Sequence, residues 1–470
     1  MYSGLRTIGG VNASITYGKD RVIFEFGTAF EPSTAVFDGK VEPRAENWVR
    51  DMLQIGLAPR IDGVYRRKDL GSYPLVSAEE SDLNTAVFIS HLHLDHMALM
   101  GTVSPLIPVY LHHNAQVIER ALEATGKGVQ TLEREYTDII PNEPIYIGEI
   151  EVLPLLCKDT GHYDFSFLIT TSDGTIHWTG DLCLHGFQAE KTWAQMELLK
   201  TKKIDVMLCE GTSFIDSSLY RVYQSTDVSL IQPDPKVPIG VLTEEQYKRK
   251  LFNQIQNCKG LCVFNYYQRE MDEAAEYIDW AQRSGRKCVF EPDAAYLIYK
   301  FYGINPNIYI PDSSRYTKEP SPEWFAELLA NAVVVTADEI FTNPSGYLLQ
   351  NSYRHILDLF SLPDKNGIYL HEGGEPLGDY DPAFENMRRI LNKTDFEYVS
   401  LDDAYFGHAY PGQVKYFIDQ VDPKVLIPCH TYNPERLLPN TGRQLLPELY
   451  HPYILKNHQL IPEVNPAHHE

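Results

Sequence analysis

Cysteine is scarce in this chain: seven residues in 470, odd in number and scattered, which excludes a disulfide framework. Buried thiols in a reducing compartment are the expected reading. Long hydrophobic runs are missing as well. None approaches the roughly 18 residues of a spanning helix, and the opening MYSGLRTIGG has no apolar core of a secretory leader. A cytoplasmic protein with no membrane partner is therefore expected, with an oligomer allowed. Positive charge is under-represented, with 41 Lys and Arg against 64 Asp and Glu, for a formal charge of −23. That balance argues against a broad grip on nucleic acid, which needs clustered cations to neutralise phosphates. It leaves room for a nucleic-acid end entering a locally cationic cleft, and bound divalent ions would create one. Internal repeats and low-complexity segments are absent from the sequence.

Core-forming material is plentiful, and at 470 residues it exceeds a typical single core. Two domains, or one core with an insertion, are expected. Residues 5–27 read as two strands around a Gly-Lys-Asp turn, followed by a Pro- and charge-rich stretch with one helix in AENWVRDMLQIG. TAVFIS, IPVYLH, EIEVLPL, DFSFLITT, GTIHWTGD and IDVMLCEG read as strands, with helices in NAQVIERALEATG and KTWAQMELLKT. From about residue 215 longer helices alternate with GLCVFNYY, KCVFEP, AVVVTAD and GIYLHEG, the pattern of a small parallel-sheet domain. The helix PGQVKYFIDQV and the strand KVLIPCH follow, and the tail VNPAHHE is expected to be disordered.

The densest chemistry lies in HLHLDH, where three of the 16 histidines fall within six positions at the end of a predicted strand. His91 and His93, two apart, share a face in an extended stretch. Asp95 and His96 then come round on a turn or a first helical turn, toward a second point. Such a loop suits two metal ions a few ångströms apart, and imidazole with carboxylate favours zinc, with manganese also compatible. One loop cannot fill two coordination spheres. Further donors stand at strand ends or in adjacent loops: His162 in CKDTGHYDFSF, Asp181 at the end of TIHWTGD, and His430 at the end of KVLIPCH. Each alone would ordinarily be a satisfied surface or core residue. It is their company with the hexad that makes them candidate ligands.

In order and context these motifs resemble the metallo-β-lactamase superfamily, and the later ones resemble its β-CASP nucleases: DVMLCEGTS, FGHA before a helix, KVLIPCH, and RSGRKCVFEP in the inserted domain. Ribonuclease J, without its C-terminal domain, is the most similar in style. The resemblance implies an α/β metallo-β-lactamase αββα sandwich over 1–214 and 398–462, an inserted β-CASP domain over 215–397, and a tail over 463–470. It also implies that His91, His93 and His162 hold one metal and Asp95, His96 and His430 the other, with Asp181 bridging. His408 would protonate the leaving oxygen and Glu210 would orient it. Asp95 would belong to both the catalytic and the ligand sets. The implied activity is phosphodiester hydrolysis by hydroxide generated between two divalent ions, with RNA or another single-stranded nucleic acid as substrate. Arg269 in NYYQRE and Ser345 in NPSGY are candidate substrate contacts. Two positions depart from the family pattern: Thr-Tyr-Asn follows His430 where Gly-Glu is usual, and Phe406 replaces a small hydroxylic residue. A second expectation keeps the same site for a small ester, lactone or cyclic phosphodiester, with the insertion as a lid. A third is a catalytically silent scaffold, against which the intact ligand set argues.

Overall fold

The computed structural model describes the chain except residues 32–35, 38–40, 130–133, 159–162, 187, 216–224, 232–236, 239–240, 312–313, 315, 317–319, 379, 402–406 and 463–470. His162 and Phe406 thus lie outside the described residues. The chain begins with a hairpin, β1 (Ala13–Tyr17) and β2 (Asp20–Phe24), in register Tyr17↔Asp20 around the expected turn. β3 (Asn84–Phe88), β4 (Val109–Leu111) and β5 (Thr137–Asp138) extend it, in order, into a five-stranded sheet. A second sheet begins with the antiparallel run β6 (Ile145–Ile147), β7 (Ile150–Lys158), β8 (Asp164–Thr171) and β9 (Gly174–Trp178), and β10 (Val206–Glu210) then adds in parallel.

Period-two alternation explains how the two sheets meet. Val22 and Phe24 of β2, with Ala86 and Phe88 of β3, face Val152, Phe167 and Trp178 of the second sheet in one apolar layer. Between them on β2, Ile23 points the other way, into the layer that covers the helix Trp48–Gln54. Met207 and Cys209 of β10 likewise turn outward under the helix Ala189–Lys200. The result is helix, sheet, sheet, helix.

The chain then leaves for a third, wholly parallel sheet. Its strands are β11 (Cys262–Asn265), β12 (Lys287–Phe290), β13 (Asn307–Ile308), β14 (Val333–Val334), β15 (Tyr347–Gln350), β16 (Ile368–His371) and β17 (Glu397–Val399). Their spatial order is β14-β13-β12-β15-β11-β16-β17, so the strand reading reverses direction around β11 and β15. β15, a central strand, has the sequence YLLQ, too short and too close to Pro344-Ser345-Gly346 to stand out by periodicity. After the third sheet the chain returns as β18 (Val425–Cys429) and β19 (Arg443–Gln444), which complete the second sheet beside β10. A last hairpin, β20 (Tyr453–Lys456) with β21 (Gln459–Pro462), closes the described chain. The helices His113–Thr125 and Pro292–Tyr302 meet between the first and third sheets within one continuous apolar cluster. Among the described residues no helix is long and apolar enough to cross a membrane.

Candidate metal centre

β3 is buried on both faces and delivers His91 to the C-terminal edge of the first sheet. The backbone stays extended through His93 and then winds into the single helical turn Leu94–Met97, which carries Asp95 and His96. Two glycines let neighbouring backbone lie flat against this turn. A Cβ at Gly9, whose φ of +66° already favours glycine, would overlap the Asp95 side chain. A Cβ at Gly27 would overlap the Asp95 carbonyl. With those Cβ atoms absent, Gly10 N–H donates to the Asp95 carbonyl (2.8 Å) and Phe26 N–H to the His96 carbonyl (2.7 Å).

Asp181 follows β9 and His430 follows β18, so three strand ends from two sheets converge. His430 sits at φ +53° and Glu25, beside the turn, at φ +62°. Left-handed non-glycine backbone of this kind concentrates at functional sites. Two groups of donors result: His91, His93 and Asp181, and Asp95, His96 and His430. Within the second, His430 Nε2 lies 3.0 Å from Asp95 Oδ2 and 3.2 Å from His96 Nε2, and His96 Nε2 lies 3.7 Å from Asp95 Oδ2. Donors around a tetrahedral ion at 2.0–2.1 Å stand about 3.3 Å apart, so this trio has the spacing of one face of such a shell. Asp181 supplies the next corner, its Oδ1 3.2 Å from His96 Nε2 and 3.6 Å from His430 Nε2. That oxygen is buried and accepts no hydrogen bond among the described residues. Its other oxygen, Oδ2, turns to His91 Nε2 at 3.6 Å. One carboxylate therefore presents an oxygen to each group, and the donor set fits two divalent cations.

Electrostatics point the same way. Burial opposes a charge on His96, yet Asp181, Asp95 and Glu25 outweigh it and hold the imidazole well above its ordinary range. Burial likewise opposes ionisation of Asp95, but His96 and His430 prevail and bring it down to about 2. The cluster demands positive charge, which bound cations would supply.

The imidazoles are held from behind. Ser90 Oγ lies 2.8 Å from His91 Nδ1, Thr212 Oγ1 2.7 Å from His430 Nδ1, and Glu25 Oε1 3.5 Å from His96 Nδ1. In all three Nε2 faces the centre; the two hydroxyl contacts are those that fix the tautomer of a ligating histidine, whereas Glu25 stands behind His96 as a charge, beyond hydrogen-bond reach. None of these three partners was expected from the sequence. For Glu25 a signal existed, a carboxylate inside the apolar strand run VIFEF.

Glu210 ends β10, buried, and works in two directions. Its Oε1 accepts from Leu182 N–H (2.9 Å) and its Oε2 from Thr212 N–H (2.8 Å), the turn-capping role open to any strand-end carboxylate. Oε1 also lies 3.2 Å from His408 Nδ1, which is itself 3.7 Å from Asp181 Oδ2. Burial again opposes the charged imidazole, but Glu210, Asp181 and Asp95 push His408 up to about 9.

The two candidate substrate contacts fall elsewhere. Arg269 is buried, 3.0 Å from the buried Glu119 Oε2, and also donates to the carbonyls of Leu92 (3.4 Å) and Lys127 (3.2 Å). It ties the third sheet to the first. Ser345 is exposed just before β15, at the N-terminal edge of the third sheet, whereas the metal donors lie beyond the C-terminal edge, past Asn265. A parallel strand carries its two ends to opposite edges, so Ser345 is kept from the centre by the length of β15.

A solved structure described as a protein of unknown function from Enterococcus faecalis V583 is similar over 95% of this chain and 97% of its own, at 28% identity and a TM-score of 0.75. A Cronobacter sakazakii metallo-β-lactamase HARLDQ motif mutant, S60, aligns over 42% of this chain and 70% of its own, at 12% identity and a TM-score of 0.26, too low to carry any argument. No family profile matches the chain, and no curated protein does. The two donor groups give the site a metal-binding, hydrolase-like geometry within an α/β fold.

Proposed function

We propose that this protein is a two-metal phosphodiesterase acting on RNA, a β-CASP nuclease most similar to ribonuclease J. In this reading residues 1–214 and 398–462 form the metallo-β-lactamase body and 215–397 the β-CASP insertion. His91, His93 and His162 hold one ion, Asp95, His96 and His430 the other, and Asp181 spans both. When bound, such ions supply Lewis acidity, which makes hydroxide available near neutral pH and offsets charge on phosphate oxygens. The chain's own residues do the rest. His408, oriented through Nδ1 by Glu210, presents Nε2 to the leaving oxygen and protonates it. Glu210, locked by two backbone N–H groups, stabilises the imidazolium without needing to move.

The observation that carries this reading is the His408–Glu210 pair at 3.2 Å beside Asp181. A metal-binding structural site has no use for an imidazole paired with a buried carboxylate next to its donors, whereas ester cleavage needs an acid there. The test is cleavage of 5′-monophosphorylated single-stranded RNA with manganese or zinc, run against His408→Ala. Cleavage lost in that variant while metal content is retained supports the assignment. No cleavage above the variant's background abandons the nuclease.

A second reading, a small cyclic phosphodiester or ester with the third-sheet unit as lid, is favoured by one observation. Arg269 is spent internally, and this unit brings to the histidines Tyr267, whose ring centroid is 5.6 Å from that of His93, and the carboxylate of Glu270. Cleavage of a cyclic dinucleotide but not of RNA would select it.

A further inference from the structure

We infer that Glu270 is a positioning residue of the metal centre, reaching from the third-sheet unit to hold His93 in its ligating tautomer. The inference rests on the two-metal reading. His93 differs from the other three imidazoles of the described cluster. His91, His96 and His430 turn Nδ1 to a partner of their own body and Nε2 to the centre, but His93 turns Nε2 outward, 2.6 Å from Glu270 Oε1. With Nε2 engaged by Glu270, Nδ1 is the ring nitrogen left to offer to the group that His93 forms with His91 and Asp181. The partner that orients it stands 177 residues away in sequence, beyond the turn that follows β11 of the third sheet.

Three consecutive residues after β11 make this reach firm. Gln268 Oε1 accepts from Lys127 Nζ (2.8 Å), Arg269 pairs with Glu119, and Glu270 meets His93. Lys127 also pairs with the buried Asp293 at the start of the helix Pro292–Tyr302, on the far side of the same junction. Glu270 itself is in extended backbone, φ −93° and ψ 90°, immediately before the helix Met271–Ser284. Arg269 clamps the unit to the first body, and Glu270 uses that clamp to set an imidazole.

A carboxylate behind a ligating histidine fixes its tautomer and raises its basicity, and loss of such a partner costs 10–100-fold in metal affinity. Retention of the ion at His91 and His93 is therefore coupled to docking of the third-sheet unit, while the ion at Asp95, His96 and His430 has all its described supports within the first body.

The experiment measures zinc binding to the full chain by competition with a chromophoric chelator, for wild type, Glu270→Gln and Glu270→Ala, alongside the metal-free melting midpoint. Wild type is expected to take two zinc ions. In Glu270→Ala one binds about 10–100-fold more weakly and the other within about threefold of wild type. Glu270→Gln, whose amide oxygen still accepts a hydrogen bond, falls between, and the metal-free midpoints stay together. Unchanged affinities in Glu270→Ala overturn this assignment alone. So does an equal loss at both sites accompanied by a lower metal-free midpoint, the mark of a merely structural role. A wild-type protein that binds fewer than two ions overturns the two-metal reading and the assignment with it.

Discussion

Replacing Arg269 with methionine separates two incompatible roles for that residue. As a substrate contact it would be a dispensable surface cation, and its loss would raise KM with little effect on stability. The structure instead places its guanidinium against Glu119 at 3.0 Å, with the side chains 5% and 0% exposed. Methionine fills similar volume but leaves the Glu119 carboxylate buried, with Val129 N–H (2.9 Å) as its remaining hydrogen-bond donor among the described residues. Breaking a buried pair from one side costs about 3–5 kcal/mol, because the stranded charge must be tolerated or neutralised. At roughly 2–4 °C per kcal/mol for a unit of this size, the melting midpoint should fall by about 6–20 °C.

The pH dependence follows from the sign of the Glu119 shift. Burial raises its pKa even in the presence of Arg269, and without the arginine it rises further. A raised carboxyl contributes its stability at low pH and loses it as pH climbs through the folded value. The Arg269→Met deficit should thus be larger at pH 8 than at pH 5. Adding Glu119→Gln should recover most of the loss, and the double-mutant cycle would read the coupling directly. A single variant that melts within about 1 °C of wild type but shows a raised KM for a phosphorylated substrate would refute this reasoning.

Three further outcomes are expected. Gly27→Ala keeps every donor yet drives a Cβ into the Asp95 carbonyl, so zinc affinity should drop at least about tenfold, with an overpacking cost of about 1–3 kcal/mol in the denaturation midpoint. Glu210→Gln should lower kcat by about 10²–10⁴-fold, the range of a general-acid contribution, with zinc stoichiometry unchanged by elemental analysis. In the third sheet, burial and the nearby Asp293 push Glu291 up to about 8, so its share of stability is present below the ordinary carboxyl range and lost as pH rises through 8. Glu291→Gln should accordingly lose less melting temperature than wild type between pH 6 and pH 9; equal losses in a pH-stepped melting series would sink that account.

Much of the fold was legible because periodicity is a local property. The turn between β1 and β2, the buried run of β3 and the helices at 113–125 and 271–284 each announce themselves within a dozen residues. β15 did not, since four residues after a Pro-Ser-Gly turn carry too little pattern, and β13 and β14, of two residues each, carry less. AVVVTAD reads as a strand, but its ladder is only Val333 and Val334, at an exposed edge, with one further bond from Val335 N–H to the Ile308 carbonyl.

For the centre, residue types and spacing determined the donors of the hexad, because His-x-His-x-Asp-His joins an extended pair to a helical turn by backbone geometry alone. The sequence also determined that Asp181 and His430 stand at strand ends, where side chains can converge. Which oxygen of Asp181 faces which group, and which nitrogen each imidazole offers, was decided only by tertiary contacts, since Ser90, Glu25, Thr212 and Glu270 have no common spacing to the histidines they orient. Arg269 shows the limit most directly. Its formula suits a phosphate, but the buried Glu119 that claims it lies 150 residues away, and only the packing of the first sheet's helix against the third-sheet unit brings the two charges together.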